Sequence, residues 1–142
     1  MMRVEWLSAL AQARPHVVAM LAAVVATELT VEITRPPTRG LLLATVREPV
    51  DNGLFHPGEL LATTCEARIG EWLGTGIVLG AADDRARGMA MVDAALQQDF
   101  PSRGIVLARL GAECDTRQAA ERTEAEMARS TRVHFDTMEP QR

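Results

Sequence analysis

A chain of 142 residues with 47% apolar and 24% charged side chains has the balance of an ordinary globular domain, and two independent domains of half that length would each be marginal. Its formal net charge of −4, with no clustered Lys/Arg face, excludes the long-range field that draws in a nucleic-acid backbone or an anionic membrane. Aromatic residues amount to only 4% and Tyr is absent, so the core must be assembled from small side chains, chiefly Ala, Val and Leu.

From Val4, the apolar residues Leu7, Leu10 and Ala11 recur at three- and four-residue intervals and predict a short first helix. Pro15 suits the first turn of a second helix, where its missing N–H is not needed, and that helix should reach about Glu28. Its apolar run, Val17 to Ala26, is about half of the roughly 20 residues a membrane span requires. Glu5 and Trp6 ahead of it, and the amphipathic spacing that begins earlier, argue against a secretory leader, so cytoplasmic residence is the expectation.

The period then changes. Leu29, Val31 and Ile33 alternate with Thr30, Glu32 and Thr34 as in a half-buried strand, and Pro36-Pro37 and Gly40 are expected to break it. A second strand over Leu41–Val46, a turn at Pro49 and Asn52-Gly53, and further strands over Glu59–Ile69 and Trp72–Leu79 complete the pattern, with Gly70 at a tight turn. Short turns force antiparallel pairing. The sequence therefore predicts an α+β fold: an antiparallel sheet of about four strands with N-terminal helices, a helix after the last strand, and a C-terminal helix.

Gly80 ends the sheet, and Asp83 or Asp84 can cap a helix to about Gln98 whose apolar stripe is Met89, Val92 and Leu96. The segment 105–110 is undecided between helix and strand. Asp115 with Gln118 has capping-box spacing for a final helix to about Arg129, with Arg117 and Glu121, then Arg122 and Glu126, at four-residue intervals. That helix is poor in apolar residues, while Val133, Phe135 and Met138 follow it. Residues 1–142 are thus read as one domain in which 115–142 forms a partner-binding C-terminal arm, with Arg132, Val133, Phe135 and Met138 as the contact candidates.

Chemistry-bearing residues are few. Cys65 and Cys114 have neither CxxC nor metal-ligand spacing, which fits free thiols, and nothing in the sequence brings Cys65 to His16, His56 or His134; no metal site is expected. Asn52-Gly53 and Gly74-Thr75-Gly76 match neither phosphate-loop pattern and read as turn and strand glycines. Asp93 lies between Met89 and Leu96 on the helical wheel, so its carboxylate is drawn toward the core and should find an Arg partner; a structural ion pair is preferred over a catalytic role. Arg35, Arg39 and Arg47 flank two strands, either converging on a phosphate-bearing ligand or serving as solvated edge charges. Arg35, Arg47 and Asp93 are the substrate-binding candidates, and no catalytic residue is assigned.

In order along the chain, these pieces resemble the G subunit of the carbon-phosphorus lyase core complex, the PhnG family of phosphonate metabolism. Arg3, Trp6, Leu10 and Ala11 look like the family's R-x-x-W-x-x-x-L-A opening; Arg35-Pro36 with Gly40-Leu41 is similar to R-P-x-x-G-L; Gly53, Phe55, Gly58 and Glu59 resemble its F-x-x-G-E stretch. Val78-Leu79-Gly80 and Met91-Val92-Asp93-Ala94 look like its strand-to-helix block, and Arg132-Val133, Phe135 and Thr137-Met138 match R-V-x-F-x-T-M. The chain departs from the family pattern at Thr64, where Arg is usual, at Ala81-Ala82 in place of Arg-Asp, and at Arg85 in place of His.

The resemblance implies PhnH-, PhnI- and PhnJ-like partner subunits, with a homo-oligomer as the alternative for an isolated chain. It implies a part in transferring an alkylphosphonate to the ribose of ATP, with adenine released and a ribose 1-phosphonate 5-triphosphate left. Cleavage of the carbon-phosphorus bond, with S-adenosylmethionine and an iron-sulfur cluster, is expected on the J-type subunit, because this chain lacks the Cys cluster such a centre requires. No cofactor is expected in this chain. The alternatives are a free-standing small-molecule enzyme, a phosphate- or phosphonate-binding domain, and a purely structural scaffold.

Overall fold

A computed structural model describes residues 1–48 and 51–130 of the chain. The proposed contacts at Arg132, Val133, Phe135 and Met138, and His134 with them, lie outside the described residues. Helix α1 (Arg3–Gln12) turns at Ala13 and Arg14 into α2 (Pro15–Glu28), with Pro15 in the first turn as its fixed φ favours. Strands β1 (Glu32–Arg47), β2 (Leu54–Ile69) and β3 (Trp72–Leu79) form one antiparallel sheet in the order β1-β2-β3, followed by α3 (Asp83–Leu96) and α4 (Arg103–Ser130). The expected α+β arrangement is present. Among the described residues no helix is long and apolar enough to cross a membrane.

The strand count is three, not four. The two segments read as separate strands before and after Pro36-Pro37 and Gly40 are one 16-residue strand. Strand β1 lies at the sheet edge, and its register against β2 slips between Ile33 and Arg35 and again between Arg35 and Thr38. At an edge and at bulges the missing N–H of proline costs the ladder little, so the pair bends the strand without ending it. The hairpin to β2 closes with the Glu48 N–H donating to the Gly53 carbonyl at 2.9 Å and Asn52 in the left-handed region at φ 56.

The final helix is also longer than expected. It begins at Arg103 and takes in the undecided segment 105–110, so Asp115 and Gln118 are interior residues and cap nothing. At α3, Ala82 is the N-cap, while Asp83 and Asp84 occupy the first turn, where their charge still suits the helix dipole.

Helix α3 is the centre of the core. It packs on β3 and β2 with one side and on α2 with another, and nine of its residues are buried. Gly74 and Gly76 point at its backbone: a Cβ on Gly76 would collide with the Ala86 carbonyl, and one on Gly74 with the backbone of Ala90 and Ala94. The Gly-Thr-Gly segment is therefore a packing device that, with Ala86, Ala90 and Ala94, sets the helix directly on the strand. Thr63, fully buried, fixes the entry to α3 by donating to the Gly80 carbonyl at 2.7 Å and accepting the Ala82 N–H at 3.1 Å.

Strand β3 ends where Leu79 pairs with Ala62. Beyond that point β2 pairs with β1 alone, and the hairpin runs on as a two-stranded ribbon carrying Leu41↔Leu61 and Leu42↔Leu60 as opposed pairs. Leu41, Leu42, Leu43, Val46, Leu54, Phe55, Leu60 and Leu61 are between 43% and 63% exposed there.

Candidate functional site

Asp93 sits on the buried side of α3 with no solvent exposure, and four donors surround it. The Arg3 guanidinium donates through Nη2 at 2.8 Å and Nε at 3.2 Å, the Trp6 indole Nε1–H at 2.9 Å, and the Thr75 backbone N–H at 2.9 Å. The carboxylate's hydrogen bonding raises the pKa of Arg3 above its ordinary value. The Arg partner expected from the sequence is thus Arg3, supplied by the opening R-x-x-W segment, which closes on the Val92-Asp93-Ala94 segment of α3.

The cluster also shields a sheet edge. Among the described residues strand β3 has no neighbouring strand on its outer side, and edge strands expose unpaired backbone groups that invite further strands. Here the Thr75 N–H is taken by Asp93, and the Leu73 carbonyl accepts from Arg3 at 3.2 Å and from Gln97 at 2.7 Å. An acceptor-only carboxylate holding four donors has little capacity left for a substrate.

The three arginines do not converge. Arg35 pairs with Glu66 at 3.3 Å, and Arg39 reaches Asp83 at the start of α3 at 3.1 Å. Arg47 lies at the far end of the same strand, with Nη1 3.5 Å from the Asn52 carbonyl. Twelve residues of strand separate Arg35 from Arg47, on the order of 40 Å if straight.

Both cysteines are free, Cys65 buried on β2 and Cys114 half-buried on α4. Burial pushes the Cys65 thiol up, which opposes thiolate formation. Two thiols on separate elements do not make the ligand set an iron-sulfur cluster needs. Among the described residues no three His, Cys, Asp or Glu side chains gather in a way that would hold a metal ion.

A second polar lock ties α4 to the corner between α1 and α2. Glu113, 6% exposed, accepts the Arg14 backbone N–H at 3.0 Å and both arms of its guanidinium at 2.7 and 2.8 Å. These hydrogen bonds, side chain first and backbone second, hold the Glu113 carboxyl down at about 2. Arg85, which stands where the resembling family has His, donates to the carbonyls of Ala11 and Ala13 at 2.8 and 2.7 Å and so closes the same corner. Neither Glu113 nor the ribbon was singled out from the sequence. The ribbon did carry a signal: Leu41-Leu42-Leu43 and Leu60-Leu61 are consecutive apolar residues, the pattern of strands covered on both faces.

No curated protein matches the chain. A family model, described as phosphonate metabolism protein PhnG, matches residues 1–140. This match takes in the Arg3–Trp6–Asp93 lock, the ribbon and both ends of α4, and the chain belongs to the PhnG family of phosphonate metabolism proteins.

Proposed function

We propose that this chain is a subunit of a carbon-phosphorus lyase-type assembly, working with PhnH-, PhnI- and PhnJ-like subunits. In that assembly it assists transfer of an alkylphosphonate to the ribose of ATP, with release of adenine. The observation that carries this reading is the family match over residues 1–140. Two further observations support it: Asp93 and Arg35 are already engaged within the chain, and the ribbon leaves large apolar side chains uncovered, which an isolated soluble domain seldom does. Reactive groups then come from other subunits, and this chain supplies shape and contacts. ATP is a substrate of the assembly, while S-adenosylmethionine and the iron-sulfur cluster belong to the J-type subunit.

Reconstitution tests the reading. Adenine release from ATP and methylphosphonate should require this chain beside an I-type subunit and the accessory proteins, and should stop when it alone is omitted. Undiminished release without it would remove the proposal. A scaffold with no ligand contact of its own is the second reading, favoured by the Arg35–Glu66 pair. It predicts that Arg35→Ala and Arg47→Ala leave the assembled activity unchanged, whereas loss of activity in an intact complex would assign these residues to the substrate.

A further inference from the structure

The two edges of the sheet are finished differently. Strand β1 carries Pro36-Pro37, Arg35, Arg39 and Arg47, and two register slips before Thr38, all devices that discourage a further strand. Residues 72–82 contain no proline and no charge, and the β2–β3 register runs without a slip from Ala62↔Leu79 to Ile69↔Trp72. Protection of the β3 edge therefore rests on the Arg3, Asp93 and Gln97 contacts, and these reach only the Leu73 carbonyl and the Thr75 N–H.

The alternation of the strand shows what they leave open. The Gly80 N–H donates to the Leu61 carbonyl, so even-numbered residues of β3 turn their backbone groups toward β2 and odd-numbered residues turn theirs outward, as the Leu73 and Thr75 contacts do. Among the described residues nothing takes the Thr75 carbonyl, the Ile77 N–H and carbonyl, or the Leu79 N–H and carbonyl. Gly74, Gly76 and Val78 face α3, so the Ile77 and Leu79 side chains lie on the other face of the sheet, 49% and 64% exposed. On the helix side, Leu7, Ala11 and Met89 line a groove of about 320 Å³ along Thr75 and Ile77.

An open strand edge is satisfied by another strand, and the positions of the open groups select which one. A two-fold axis through Ile77, perpendicular to the sheet, sets β3 antiparallel to β3 of a second copy. Ile77 then exchanges both hydrogen bonds with its own counterpart, and each Leu79 N–H meets the other copy's Thr75 carbonyl. The Leu79 carbonyl faces the Thr75 N–H that Asp93 holds, so the pairing ends where the shielding begins. The open groups are thus arranged symmetrically about one residue, which pairing with an unrelated strand or with the chain's own terminus does not require and pairing with a second copy does. No charged residue lies between Trp72 and Ala82 to repel that copy, and at physiological salt the net charge of −4 is screened beyond about 8 Å.

We infer that the open end of β3 is a self-association edge: two copies pair residues 75–79 antiparallel about Ile77 into one continuous sheet. Both helix layers then lie on the same side, and the Leu7, Ala11 and Met89 walls of the two grooves close on each other across the axis. The Arg3–Asp93 lock fixes where the pairing stops and so sets its register. This inference concerns the chain by itself and does not rest on the subunit reading, since the β1–β2 ribbon stays free for other subunits.

Sedimentation of the full chain over a range of concentrations, alone and co-expressed with an I-type subunit, tests it, with hydrogen exchange on the same samples. The chain alone should form a dimer in which the Ile77 and Leu79 amides become protected. Ile77→Lys sets two ammonium groups on the axis and Ile77→Glu two carboxylates, on backbones about 5.5 Å apart. Each variant alone should therefore dimerise on the order of tenfold more weakly or worse, with the monomer's unfolding midpoint unchanged. Mixed in equal amounts, the two variants should recover the dimer, because opposite charges then meet on the axis. A chain that stays monomeric at every concentration, a dimer that Ile77→Lys leaves intact, or a mixture of the two variants that stays monomeric overturns the inference. An Ile77 amide protected in the monomer would name the chain's own terminus as occupant, and one protected only beside the I-type subunit a strand of that subunit; either overturns it and leaves the subunit reading standing.

Discussion

Cut back to alanine, Asp93 would leave the Trp6 indole N–H and the Thr75 N–H without an acceptor in a buried site, with Arg3 released to solvent. A buried donor left without its acceptor costs about 1–3 kcal/mol, so Asp93→Ala should lose at least that much stability in urea unfolding, and Asp93→Asn distinctly less. A catalytic Asp93 would instead show lost activity with stability nearly intact. Glu113 gives a pH signature. Its folded carboxyl lies at about 2 against an ordinary 4.5, so the stability it contributes is complete above about 4.5 and disappears as pH falls toward 2. The stability gap between the unmodified protein and Glu113→Gln should therefore be widest above pH 5 and close between pH 4.5 and 2, as read from thermal unfolding; a constant gap would contradict the Arg14 contact. Asp93's position on the apolar stripe of α3 was visible in the sequence, and so was its need for an Arg. Which Arg was not visible, because Arg3 is 90 residues away, and the Arg14–Glu113 pair, 99 apart, left no local pattern at all.

Packing between elements turns on glycines of opposite kinds. Gly76→Ala forces a methyl group into the backbone of α3 and should cost on the order of 1–3 kcal/mol or more, with the helix displaced from β3. Gly111 lies inside α4 with open space around it, so Gly111→Ala should raise stability by about 0.5–1 kcal/mol through helix propensity alone. Calorimetry on the two variants checks both signs. Periodicity made α1, α2, α3, the β2–β3 hairpin and the order of elements legible. It failed at Pro36-Pro37 and Gly40, since whether a proline ends a strand depends on whether that strand is an edge, a property of the sheet and not of the segment. It failed again at Asp115, where the capping spacing fell inside a helix already begun at Arg103 and held to the body by Val106, Leu110 and Glu113.

At the scale of the whole molecule, α3 is enclosed by the sheet and by α2, whereas the ribbon and the distal part of α4 extend past the layer that would cover them. A two-stranded ribbon alone is marginal in water, so its apolar faces require a companion surface. Sedimentation of the full chain, alone and co-expressed with an I-type subunit, tests this account most directly. The account predicts one stable complex of defined mass containing both chains. A chain that sediments as a monomer beside that subunit would contradict it.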